Sequence, residues 1–183
     1  MERAEALRIF EEADCLADRN SIETAIKNIA TKITEKLSHR NPVVFCVMNG
    51  GLIFSGQLIT SLEFPLELGY LHATRYGRDV VGGELEWIVK PQIELSGRTV
   101  LLLDDILDEG VTLKALADDC RERGATEVFT AVLVEKHHDR KVEPGFKADF
   151  TGFVLGDRFL FGYGLDYDGV WRNAPGIYAV KGL

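Results

Sequence analysis

The stretch Thr99-Val-Leu-Leu-Leu103 is an apolar run that ends abruptly in Asp104-Asp105-Ile-Leu-Asp108-Glu109-Gly110-Val111-Thr112. From Val111 to Arg123 the apolar residues recur at helical spacing, Gly124 closes the pattern, and a second apolar run follows from Val128 to Val134. An apolar run of strand length with no polar alternation is covered on both faces. Strand, helix and strand at this spacing form a parallel crossover unit, which commits the chain to an α/β fold with ligands outside the carboxyl ends of the strands.

The rest of the chain extends that unit on both sides. Val43 to Met48 predicts another strand covered on both faces, and Asn49-Gly50-Gly51 a turn after it. Leu52 to Leu62 reads as a helix, Leu66 to Ala73 as a strand region, Thr74 to Gly83 as a polar loop and Leu85 to Val89 as extended. Upstream, Leu7, Phe10, Ala13 and Ala17 recur at helical spacing. A second helix is expected from an Asn20/Ser21 cap, with Ile22, Ile26, Ile29, Ile33 and Leu37 on one face. From Glu135 onward glycine, proline and aromatics increase, around short apolar runs at Phe150 to Leu155 and Ile177 to Val180. We expect one domain over residues 1–183: a sheet core of about 41–135, and a small hood made of 1–40 and 136–183.

Charge and composition exclude several classes of function. A net charge of −8 gives little Lys/Arg surface for neutralising nucleic-acid phosphates, so no nucleic-acid partner is expected. No apolar run reaches the roughly 18 residues that cross a bilayer, and the N-terminal residues lack a signal pattern, so a cytoplasmic chain without a membrane partner is expected. Cys15, Cys46 and Cys120 have neither metal-ligand spacing nor an even count and read as reduced packing residues.

At the acidic strand end the residue types suit a phosphorylated sugar. The turn from Asp108 to Thr112 opens a helix, whose free amides and positive dipole end favour a phosphate. Asp104 and Asp105 can accept hydrogen bonds from sugar hydroxyls or hold a hard cation. Helix capping accounts for an isolated acidic strand end about as well, and it is the length of the whole string that favours a ligand site. Elsewhere the residues alone stay bland. Lys136 reads as a solvated strand-end lysine, Phe159 as a core or strand aromatic, and His137-His138 as a solvent-facing loop without metal partners.

The string of strand, two acids, two apolar residues, Asp, any residue, Gly, any residue and Thr resembles the phosphoribosyl-pyrophosphate signature of the type I phosphoribosyltransferases. Leu133-Val-Glu-Lys136 and Asp157-Arg-Phe159-Leu160-Phe-Gly-Tyr-Gly-Leu-Asp166-Tyr are similar to that family's hypoxanthine-guanine branch. The resemblance covers about Asn20 to Tyr178 and implies a parallel-sheet core flanked by helices, with a hood. It implies that Asp104 and Asp105 hold the ribose hydroxyls and, with Asp166, a Mg²⁺ ion, and that Asp108 is the general base beside N7 of the purine. The backbone from Glu109 through Gly110, Val111 and Thr112 would take the 5′-phosphate, although the family usually has Thr or Ser at Glu109. Asn49 and Gly50, in a turn where lysine is common, would contact pyrophosphate together with Arg172. Lys136 would donate to O6, Phe159 would stack on the base, and backbone groups near Leu160 and Asp166 would read its edge. Arg75 and Tyr76 fall in the family's mobile lid.

The implied reaction is purine salvage: a 6-oxopurine, hypoxanthine or guanine, displaces pyrophosphate from phosphoribosyl pyrophosphate to give IMP or GMP. The resemblance also implies a homodimer or homotetramer. Two other classes compete with this reading. A non-enzymatic sensor of phosphoribosyl pyrophosphate is disfavoured by the acidic balance and the lack of a separate DNA-binding segment. A phosphoacceptor domain would need neither the Gly-x-Thr cup nor Lys136 with Phe159.

Overall fold

The computed structural model describes residues 1–75 and 85–182. In chain order these form α1 (Arg3–Glu12), β1 (Asp14–Ala17), α2 (Arg19–Leu37), β2 (Val43–Val47), α3 (Leu52–Ile59), β3 (Glu67–Arg75) and β4 (Leu85–Val89). There follow β5 (Thr99–Leu107), α4 (Val111–Glu122), β6 (Glu127–His137), β7 (Phe150–Gly156), β8 (Leu160–Phe161) and β9 (Ile177–Ala179). Six strands make one sheet in the order β4-β3-β2-β5-β6-β7, parallel except where β4 pairs antiparallel with β3.

Strand β2 is buried along its whole length because its residues alternate between two cores. Val44 joins Leu101, Leu103 and the isoleucines of α2 on one face, while Val43, Phe45 and Val47 join Leu102, Leu113 and Leu116 on the other. Helices therefore cover both faces, as the unbroken apolar runs require. Burying each such side chain contributes about 1.5–3 kcal/mol. Between β2 and β5 the chain order reverses, since one half winds outward to β3 and the other to β6. The crevice at that switch point lies outside the carboxyl ends of both strands.

A second, three-stranded antiparallel sheet, β1-β9-β8, joins the two chain ends into the hood. Aromatic rings hold it together. Phe10 stacks on Trp171 at 4.7 Å between centroids, Phe161 stacks on Tyr178 at 5.5 Å, and the Trp171 indole N–H donates to the Ala6 carbonyl at 2.8 Å.

Several expected boundaries move. Helix α2 and strand β7, expected in the hood, pack in the core instead: Ile22 to Leu37 line one face of the large sheet, and β7 pairs in parallel with β6. The hood thus keeps only the segments before α2 and after β7. Ala13 and Ala17 lie outside α1, which ends at Glu12, and Ala17 closes β1. Asp18, not Asn20 or Ser21, caps α2 by accepting from the Ser21 amide at 2.9 Å. Strand β5 continues through both aspartates to Leu107, because its ladder to β6 is made by backbone groups whatever the side chains are. Cys46 and Cys120 are buried as expected, whereas Cys15 is exposed on β1. Among the described residues, no helix is long and apolar enough to cross a membrane.

Candidate active site

Five chain segments converge on a cleft of about 490 Å³ at the switch point: the turn after β2, Ala73 of β3, the end of β5 with the start of α4, the end of β6, and hood residues 159–172. Asn49, Gly50, Asp104, Asp105, Asp108, Glu109, Gly110, Val111, Thr112, Lys136, Phe159, Leu160, Asp166 and Arg172 all line it. Of the expected lid, Arg75 ends β3, with its side chain outside the description, and Tyr76 lies outside the described residues.

The turn from β5 into α4 is built by a glycine. Gly110 sits at φ 86°, left-handed space that a side chain disfavours, and a Cβ there would lie 2.7 Å from the Phe146 ring. The turn delivers the chain into α4 with no acid in the first turn, and no side chain caps the amides of that turn, which lines the cleft. Glu109 is exposed.

The turn after β2 lies directly against the acid pair. A Cβ on Gly50 would fall 2.0 Å from an Asp105 carboxylate oxygen, and one on Gly164 would fall 2.2 Å from the Gly50 carbonyl. Missing side chains thus let three segments meet at backbone distance. Arg172 ties the hood to this point, donating to the Gly164 carbonyl at 2.6 Å and pairing with Asp166 at 2.6 Å.

Asp104 and Asp105 are adjacent in a buried strand, and the Asp104 carboxylate accepts from the Asp105 amide at 2.9 Å. Burial, then the charge of Asp105, holds the Asp104 carboxyl well above the usual carboxylate range. Burial also raises Asp105, opposed by its hydrogen bond with Asp104 and by the Arg172 guanidinium. Such a pair is an oxygen donor set for a hard divalent cation or for sugar hydroxyls.

At the other side of the cleft, Asp108 and Lys136 stand at the ends of neighbouring strands with Oδ2 and Nζ 3.1 Å apart. Phe159, 44% exposed, is set edge-on to Tyr167 at 5.1 Å, leaving part of its surface open to a ligand.

His138, expected in a solvent-facing loop, instead has a side chain only 5% exposed, with Nε2 2.6 Å from Asp108 Oδ1. Its neighbour His137 is exposed. The signal was the alternation of side chains along an extended strand, which puts Lys136 and His138 on one side and His137 on the other. Arg140 and Lys141 were also missed: Arg140 pairs with Asp157 at 2.6 Å, and Lys141 Nζ donates to the Asp108 carbonyl at 2.6 Å.

Residues 12–168 match the sequence model of the phosphoribosyl transferase domain. The hypoxanthine-guanine phosphoribosyltransferase of Bacillus subtilis (strain 168) is 33% identical over 167 residues, covering 91% of this chain and 92% of its own. The chain belongs to the hypoxanthine-guanine phosphoribosyltransferase family. The phosphoribosyltransferase of the same name from Aquifex aeolicus (strain VF5) is 33% identical over 168 residues, with 91% and 93% covered. A solved hypoxanthine-guanine phosphoribosyltransferase from Bacillus anthracis superposes with a TM-score of 0.83 at 26% identity, covering 91% of this chain and 96% of its own.

Proposed function

We propose that this enzyme serves purine salvage, transferring the 5-phosphoribosyl group of phosphoribosyl pyrophosphate to N9 of hypoxanthine or guanine and releasing pyrophosphate. The observation that carries the choice of base is the Asp108–Lys136 pair, an acceptor and a donor side by side at 3.1 Å. A 6-oxopurine presents the complement, an N7–H donor beside an O6 acceptor, whereas adenine presents an amine where Lys136 can only donate.

In the proposed reaction the bond from C1′ to the pyrophosphate oxygen breaks with its electron pair leaving on pyrophosphate, the N9–C1′ bond forms, and the N7 proton passes to Asp108. The developing positive charge on the ribose ring makes positioning and electrostatics the protein's main task. Amides from Gly110 to Thr112 hold the 5′-phosphate, Asp104 and Asp105 hold the ribose hydroxyls, and Asn49, Gly50 and Arg172 hold the pyrophosphate. Phe159 stacks on the base, and the backbone at Leu160 and Asp166 reads its edge. The buried, mutually repelling carboxylates of Asp104 and Asp105, with Asp166 lining the same cleft, fit Mg²⁺, which when bound would neutralise the leaving group. We also propose a homodimer or homotetramer. An apolar groove of about 400 Å³ between α3 and β3, flanked by the exposed Leu52, Leu68 and Tyr70, supports contact with a second copy.

The test is a panel of hypoxanthine, guanine, xanthine and adenine with phosphoribosyl pyrophosphate, in Mg²⁺ and in EDTA, on the wild type and Lys136→Met. The 6-oxopurines should react only with the cation present, and adenine should be used roughly 10⁴-fold less well. Lys136→Met should lower kcat/KM for hypoxanthine and guanine and narrow the gap to adenine. Equal use of adenine by the wild type would overturn the assignment of Lys136.

A further inference from the structure

The reaction proposed above gives His138 no part, yet this side chain is packed against the proposed base. The main-chain N–H of Arg140 donates to His138 Nδ1 at 3.0 Å, so Nδ1 is the unprotonated nitrogen and Nε2 carries the hydrogen that faces Asp108 Oδ1 at 2.6 Å. Arg140 is itself anchored, its guanidinium pairing twice with Asp157 at 2.6 and 3.1 Å. Lys141 Nζ donates to the carbonyls of Leu107 and Asp108 at 3.2 and 2.6 Å, and the Val142 amide donates to the Glu109 carbonyl at 2.8 Å. The segment after β6 therefore grips the catalytic turn by its backbone and, through His138, by one carboxylate oxygen.

A free carboxylate presents two equivalent oxygens and turns about its side-chain bond. Here Oδ1 is taken by a nearly buried imidazole, while Oδ2 faces Lys136 and the cleft. When a base enters and Lys136 turns to O6, Asp108 loses that donor, and His138 is the neighbour that keeps the ionised carboxylate bonded and aimed. We infer that His138 is a positioning residue that holds Asp108 Oδ1 so that Oδ2 is presented to the purine N7–H. This rests on the reading of Asp108 as the base.

The experiment measures kcat, and KM for phosphoribosyl pyrophosphate, with hypoxanthine for the wild type, Asp108→Asn, His138→Ala, His138→Gln and the Asp108→Asn/His138→Ala double variant. A single hydrogen bond to a charged group is worth roughly tenfold. His138→Ala should therefore lose about tenfold in kcat with an unchanged KM. His138→Gln, whose amide N–H reaches the same place as Nε2, should recover most of the loss. In the Asp108→Asn background His138→Ala should cost nothing further, because a residue acting through another is not additive with it. An unchanged kcat in His138→Ala, a loss matched by a rise in KM, or a loss undiminished in the double variant would overturn the inference while leaving Asp108 as the base. Wild-type turnover by Asp108→Asn itself, with His138 intact, would overturn the reading of Asp108 and this inference with it.

Discussion

Asp104 carries a cost in the metal-free protein that its proposed role explains. Burial, with the charge of Asp105, raises its carboxyl well above the usual carboxylate range, so the native state binds that proton more tightly than the unfolded chain does. The stability this contributes is complete in acid below the unfolded value and is lost as pH rises through the raised native value. Asp104→Asn, which removes the charge at constant shape, should melt higher than the wild type near neutral pH in EDTA. The two melting curves should converge as pH falls toward 4, roughly the unfolded carboxylate value. Its turnover should fall, since the proposed donor to cation and ribose is gone. A melting temperature at or below wild type at neutral pH, read by scanning calorimetry, would show that the pair is not strained.

The elements that position the site differ in how readable they were. The turn from β5 into α4 could be located because glycine, acids and a following helical period each mark it independently. Gly110→Ala tests that turn: left-handed φ and contact with Phe146 and Leu107 should cost about 1–3 kcal/mol. It should also raise KM for phosphoribosyl pyrophosphate more than KM for the base, measurable in one steady-state series. Strand β7 was assigned to the hood because Gly152, Gly156 and the aromatics around it make its composition resemble a flap. Its place in the sheet is set instead by pairing with β6, and a Cβ on Gly152 would lie 2.7 Å from the Leu133 carbonyl. Composition cannot report such a long-range pairing. The cap of α2 was misplaced by two or three residues for a simpler reason: Asp18, Asn20 and Ser21 are all good cap formers, and only the backbone decides among them. His138 escaped because the expected strand stopped at Val134, three residues before β6 ends.

For the whole molecule, an outward-facing groove lined by Leu52, Leu68 and Tyr70 is larger and more apolar than isolated surface hydrophobics require. Light scattering should return the mass of two or four chains, and Tyr70→Asp should lower it toward one. A monomer in the wild type would refute the proposed assembly. The hood has another consequence, for the order in which the protein is made. Its first strand, β1, pairs with its last, β9, and Trp171 is pinned to the N-terminal helix at Phe10 and Ala6. The described strands of the large sheet end at residue 156, whereas β9, which pairs with both β1 and β8, is synthesised after all of them. A nascent chain can therefore pair the strands of its large sheet before the small sheet beside the cleft is complete. The small sheet is complete only when the segment near residue 178 meets the one near residue 15.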